Sequence, residues 1–263
     1  MVPHALTVAG SDSGGGAGIQ ADLKTFNALS VFGMSVIVAL TAQNSYEVSG
    51  IFPVPPDFVR LQFETVAMDI KVDGSKTGML FSSEIIDVVA EEFTEFSVPV
   101  IVVDPVMVSK SNARLLKEDA IDALKRKLLT ISTLVTPNIP EAEILSGIRI
   151  KDVADMHTAA ERIHEETGSH VLVKGGHLAS SPIDVFYDGR TSQEYPGIRI
   201  DTKNTHGTGD TLSSAIVSYM IRGHSEIESI RLAKEYVEGA IKKSFPTGRG
   251  YGSLCHWWQY GTA

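Results

Sequence analysis

"AGSDSGGGAGIQADLKTF", Ala9–Phe26, runs from the end of an apolar strand through a glycine-rich loop into a helix, and repetition of that order decides the fold. The strand begins in "ALTVAG" (Ala5–Gly10), and the helix is expected over Ala17–Leu29. The glycine spacing does not match a dinucleotide fingerprint, and the loop lacks the Gly-Lys-Ser/Thr of a P-loop. Two readings stay open. The loop is either a flexible surface turn, or its glycines let backbone N–H groups approach a ligand, with Ala17 and Gly18 keeping the wall thin. Asp22, one turn into the helix, is expected to face that pocket unless it is simply an exposed acid.

Working outward, the same order recurs. Strands are expected at Ser35–Ala42, Gly74–Met79, Val100–Asp104, Thr133–Thr136 and His170–Lys174. Helices are expected at Asp57–Met68, Ser83–Phe96, Leu116–Leu129, Ala154–Thr167, Thr208–Arg222 and Glu226–Ser244. Near-continuous apolar strands alternating with helices predict an α/β fold, a mostly parallel sheet covered on both faces. "DVFYDGRTSQEYPGIRI" (Asp184–Ile200) is hairpin-like and predicts an antiparallel edge. No linker composition or repeat interrupts the chain, so residues 1–263 are expected to form a single domain.

With 43% apolar residues in 263, the chain can bury a large core. A net charge of −9 argues against a nucleic-acid surface, which needs clustered Lys and Arg. No apolar run reaches membrane-spanning length, and the N-terminus has no basic start, so no membrane partner is expected. Cys255 is the only cysteine, which excludes an internal disulfide and fits a reducing, cytoplasmic setting.

In open sheets of this kind ligands bind at the carboxyl ends of the strands. Polar residues collect at those ends. Gln43 follows a buried strand, and its amide, donor and acceptor together, complements an amine beside a ring nitrogen; a loop-stabilising amide is the plainer alternative. Asp104 ends one strand, and Asn138 and Glu141 lie at a strand-to-helix turn where oxygen ligands could hold a hydrated Mg²⁺. Glu141 could equally be an acid answering the helix dipole. Lys174 is a point charge suited to phosphate, or a solvated strand end. In "NTHGTGDTLSSAI" (Asn204–Ile216) two glycines and an acid precede a helix. Asp210 is either a helix cap, or a base beside an anion-binding turn formed by the N–H groups of Gly207, Thr208, Gly209 and Asp210. Metal-holding acids, a cation, backbone donors and a base are what phosphoryl transfer requires.

Together "AGSDSGGGAGIQADLKTF", "LTAQN", "KTGML", "VVDPVMVSKS", "LVTPNIPEAE", "VLVKGGHL" and "NTHGTGDTLSSAI" resemble the hydroxymethylpyrimidine/phosphomethylpyrimidine kinases of thiamin biosynthesis, in the ribokinase-like superfamily. The likeness runs nearly end to end. It implies a three-layer α/β/α fold, ATP as phosphoryl donor with Mg²⁺, and a homodimer. The implied reaction is phosphorylation of 4-amino-5-hydroxymethyl-2-methylpyrimidine and then of its monophosphate. Gln43 matches the residue that reads the pyrimidine, and Ala17, Asp22, Met79 and Val106 match positions around the ring. Asp104, Asn138, Glu141, Lys174 and Thr205 match the metal and nucleotide side, with Asp104 and Glu141 toward the metal. Val108–Asn112 matches a flap.

One position departs from the pattern. The family usually has a cysteine where Asp210 stands, whereas ribokinases place an aspartate there. The change keeps a proton acceptor, but its full negative charge is expected to disfavour the already phosphorylated substrate. A pyridoxal/pyridoxine kinase is the competing enzyme, although pyridoxal lacks the amine and ring-nitrogen pair that Gln43 would read. A non-catalytic pyrimidine sensor is the competing non-enzyme, and it would need neither Asp210 nor Asp104, Glu141 and Lys174.

Overall fold

In the computed structural model, which describes residues 2–107, 118–176 and 182–261, β1 (His4–Asp12) is central and β2 (Phe32–Gln43) lies parallel to it on one side. On the other side of β1 the chain adds β4 (Gly74–Thr77), β5 (Ile101–Val103), β6 (Leu134–Val135) and β7 (His170–Val173), all parallel. β3 (Val48–Pro53) folds back antiparallel on β2, and β8 (Ile183–Tyr187) and β9 (Ser192–Pro196) complete the far edge. Among the described residues the nine strands make one sheet, ordered β3-β2-β1-β4-β5-β6-β7-β8-β9. Successive strands therefore move off in opposite directions from β1. The gap between the ends of β1 and β4 is the switch point where α/β sheets bind ligands.

Strand residues alternate between two cores. Leu6, Val8, Val36, Val103 and Val171 pack on one face, and Ala5, Val102, Leu134 and Leu172 pack on the other. The first face is covered by α2 (Pro56–Ala67), α3 (Ser83–Glu95), α4 (Glu118–Ala123), α5 (Ile139–Ser146) and α6 (Val153–Thr167). The second is covered by α1 (Gly18–Ala28), α7 (Thr208–Ile221) and α8 (Glu226–Lys242). This is the expected three-layer α/β/α arrangement. The antiparallel edge at β8–β9 lies where the hairpin pattern put it.

Two details differ from expectation. β3 was not anticipated, so the sheet has antiparallel strands at both edges. The helix expected at Leu116–Leu129 is α4 followed by a π-helical turn at Leu124–Leu128 and a 3₁₀ turn at Leu129–Ile131; its first two residues lie outside the described ones. The Val108–Asn112 flap also lies outside the described residues.

Candidate active site

α7, like α1 and α2, starts without a side-chain cap. Ser82, Asn138, Asp152 and Ser225 each cap the helix that follows with a side chain, satisfying N–H groups that a helix start leaves unpaired. α7 begins on Gly207, in the left-handed region at φ 82°, with no side-chain cap. A Cβ at Gly207 would collide with the Gly16 carbonyl oxygen, so only glycine lets the turn lie against the loop after β1. Thr208 closes the turn by donating its hydroxyl to the Thr205 carbonyl at 2.7 Å.

Asp210 is not the cap. One carboxylate oxygen accepts from Lys76 Nζ at 2.8 Å, and the other accepts the Gly18 N–H at 3.2 Å. Its side chain keeps 17% exposure. Burial pushes this carboxyl up, but the Lys76 ammonium and the Gly18 N–H outweigh it and hold Asp210 below the usual carboxylate range. It is therefore ionised at neutral pH, as a proton acceptor must be.

Lys76 was missed from sequence. It sits in β4 with no exposure, its ammonium on both oxygens of Asp22 (2.9 and 3.0 Å) as well as on Asp210. A lysine inside an otherwise buried strand was the available signal, because such a charge must be paired. Asp22 does not face the pocket as expected. It too has no exposure, and it accepts hydroxyl bonds from Thr7 (2.6 Å) and Ser214 (2.7 Å) in addition to Lys76, so its lone pairs are committed to the interior.

The glycine loop also differs from its reading. Rather than aiming at a ligand, the N–H groups of Gly14, Gly16 and Ala17 wrap the Asp12 carboxylate at 2.8–3.0 Å, and Gly18 N–H goes to Asp210. Asp12 also pairs with His206 Nε2 at 2.9 Å. Burial raises the Asp12 carboxyl, and His206 with the loop N–H groups more than reverses it. His206 Nε2 lies 3.3 Å from the Gln43 amide, which joins the end of β2 to the start of the α7 turn. Neither Asp12 nor His206 was singled out beforehand; an acid ahead of consecutive glycines was the cue.

On the other flank, Lys174 Nζ meets Asp104 Oδ1 at 2.7 Å. A Cβ on Gly209 would stand 3.1 Å from Asp104 Oδ2 and 3.4 Å from Lys174 Nζ, so this pair lies directly beside the α7 turn. Burial works to lower Lys174, and Asp104 and Glu141 hold it above its ordinary value. Asn138 and Glu141 form a reciprocal capping box on α5: Asn138 accepts the Glu141 N–H at 3.0 Å, and Glu141 accepts the Asn138 N–H at 2.8 Å. The helix-start reading of Glu141 thus describes its contacts. Burial pushes its carboxyl up to about 7, with Lys174 pulling the other way. Met79 lies against Gly10, half-buried Ala17 opens α1, and Val106 follows the turn after Asp104. The α7 turn thus touches both flanks, Gln43 through His206 and the Asp104–Lys174 pair through Gly209.

This arrangement can hold an anion on the uncapped helix start, with an ionised carboxylate on one side of it and a cation on the other. Residues 12–255 match a family model described as phosphomethylpyrimidine kinase. The chain is 46% identical over 259 residues to a hydroxymethylpyrimidine/phosphomethylpyrimidine kinase of Streptomyces coelicolor, covering 98% of this chain and 96% of that one. It is 51% identical over 252 residues to the thiamine biosynthesis bifunctional protein ThiED of Geobacter sulfurreducens, covering 95% of this chain but only 51% of that longer protein. Among solved structures it resembles the pyridoxal kinase from Staphylococcus aureus in complex with AMP-PCP and pyridoxal. The TM-score is 0.92 at 35% identity, over 99% of this chain and 96% of that one.

Proposed function

The chain belongs to the phosphomethylpyrimidine kinase family, and from that membership we propose that it transfers the γ-phosphoryl group of ATP to 4-amino-5-hydroxymethyl-2-methylpyrimidine and then to the monophosphate so formed. One observation carries the site assignment: an ionised, partly exposed Asp210 beside an uncapped helix start, at the switch point of the sheet. In this reading Asp210 takes the proton of the alcohol as its oxygen bonds to the γ-phosphorus and the bridge to the β-phosphate breaks, releasing ADP. The N–H groups of Gly207, Gly209 and Asp210 hold the oxygens of the transferring group, the Thr208 N–H being turned to the Thr205 carbonyl, and Lys174 adds a cation. Gln43 pairs with the aminopyrimidine edge. The whole chain works as one kinase domain.

Mg²⁺ fits as a partner of substrate phosphates. Among the described residues no group of three or more His, Cys, Asp or Glu forms a metal cage, but Asp104 and Glu141 offer the oxygen-only donors that a water-rich Mg²⁺ prefers. These two would hold the ion, which supplies charge neutralisation on the phosphates.

A second copy of the chain is the proposed partner. β3 is an open sheet edge, and Leu40 (47% exposed) lies opposite Phe52 (67% exposed) across the β2–β3 pair. Among the described residues no helix is long and apolar enough to cross a membrane.

The likeness to a pyridoxal kinase gives pyridoxal a specific claim as a side substrate. The test is one coupled ADP-release assay with the pyrimidine alcohol, its monophosphate and pyridoxal side by side, with and without Mg²⁺. Magnesium-dependent turnover of both pyrimidines above pyridoxal is expected. A preference for pyridoxal would replace the substrate assignment, and absence of turnover on all three would favour a binding protein.

A further inference from the structure

We propose that Lys76 sets specificity for the phosphorylated substrate, its ammonium offsetting the negative charge of Asp210 so that an aspartate base tolerates an incoming phosphate. The inference rests on the reading of this site as the pyrimidine-phosphorylating centre.

A buried lysine needs one carboxylate to be neutralised, and Asp22 already provides it with two contacts plus the Thr7 and Ser214 hydroxyls. The contact to Asp210 at 2.8 Å is additional. The order in space is what matters: Asp210 is partly exposed, Lys76 lies immediately behind it, and Asp22 lies one ion pair deeper. The three groups sum to one negative charge, the same as Asp210 alone. Seen from the substrate side, however, the ammonium is nearer than the second carboxylate, so the pair presents its positive end behind the base. An approaching phosphate meets a weaker repulsion than a bare aspartate would exert. Burial disfavours the ammonium, but Asp210 and Asp22 hold it well above the ordinary lysine range, so the charge stays in place. Both carboxylates engage the ammonium, which keeps it off the substrate. Lys76 is thus a positioning residue acting through Asp210.

The tests use ratios, because a merely structural loss would lower both phosphorylations together. Asp22→Asn removes the deep negative charge and leaves Lys76 facing Asp210 alone. It should raise the monophosphate-to-alcohol ratio of kcat/KM by about two- to fivefold at low salt. The double variant Asp22→Asn, Lys76→Gln leaves Asp210 without its ammonium and should lower that ratio by about fivefold. The ratio of the two dissociation constants, measured by calorimetry without ATP, should move in the same directions and needs no turnover. If the double variant does not fold, Asp22→Asn decides alone. Ratios within twofold of wild type in the folded variants would overturn the proposal. If instead wild type turns over neither pyrimidine, the functional reading fails, and that outcome is separate.

Discussion

Gln43 stands at the end of β2 with its amide against His206, whose ring is held by Asp12, and Asp12 is held in turn by three loop N–H groups. The Asp12 carboxylate can only accept, so His206 Nε2–H is committed to it, and Gln43 Nε2 is a close neighbour of that nitrogen rather than its hydrogen-bond partner. In the proposed reading the amide pairs with the ring edge, which would discriminate between two rings. Gln43→Leu should therefore reduce kcat/KM for the pyrimidine alcohol by about 1–3 kcal/mol, through an amine and ring nitrogen left unpaired. ATP affinity should hardly change, and steady-state kinetics with each substrate varied separates the two effects. Unaltered pyrimidine kinetics would take Gln43 out of the site. At this scale Asp104, Lys174 and Asp210 could be read from the sequence, because each follows a strand end or precedes a helix in a recognisable motif. Lys76, Asp12 and His206 carried at most local cues. The pairings Lys76–Asp210, 134 residues apart, and Asp12–His206, 194 apart, exist only once the sheet has formed. Asp22 was misassigned for the same reason: its helical position was legible, but not the lysine that turns it inward.

At the scale of elements, the segment after α8 ties the site together. Tyr251 N–H donates to the Ser45 carbonyl beside the β2–β3 turn, and His206 N–H donates to the Gly252 carbonyl. Buried His256 then reaches Thr211 at 3.0 Å. The Thr211 hydroxyl donates to the Gly207 carbonyl at 2.8 Å, so His256 Nε2–H is the donor to Thr211. Burial lowers its pKa from 6.5 to about 4. The unfolded chain therefore binds the proton more readily, and the neutral ring's contribution is fully present above about pH 6.5 and lost as pH falls toward 4. At about 1.4 kcal/mol per unit, this group should remove about 3 kcal/mol of stability across that window. Urea unfolding at pH 7, 6 and 5 should show a shallower acid slope in His256→Gln, whose amide still donates to Thr211; equal slopes would contradict it. Most elements were legible because their apolar periodicity is strong. β3 was not, since "VSGIFP" is a short edge strand with a glycine, a terminal proline and little burial.

On the scale of the whole molecule, the order of strands brings loops from both halves of the chain to one gap, and the open β3 edge is the proposed place for pairing with a second copy. Phe52→Glu puts a charge on that edge, so light scattering should show wild type as a dimer and the variant shifted toward monomer. A wild-type monomer at micromolar concentration would dismiss the edge as an interface. The global fold was legible because alternating strands and helices leave few topologies open. The central claim is that phosphoryl transfer takes place at the start of α7 with Asp210 accepting the proton. Its most direct test is kcat for the pyrimidine alcohol in wild type and Asp210→Asn at saturating ATP and Mg²⁺, beside the dissociation constant of the alcohol in each. The account predicts a fall in kcat of about 10²–10⁴-fold with affinity changed less than about threefold. A kcat within about fivefold of wild type in a folded variant would contradict it.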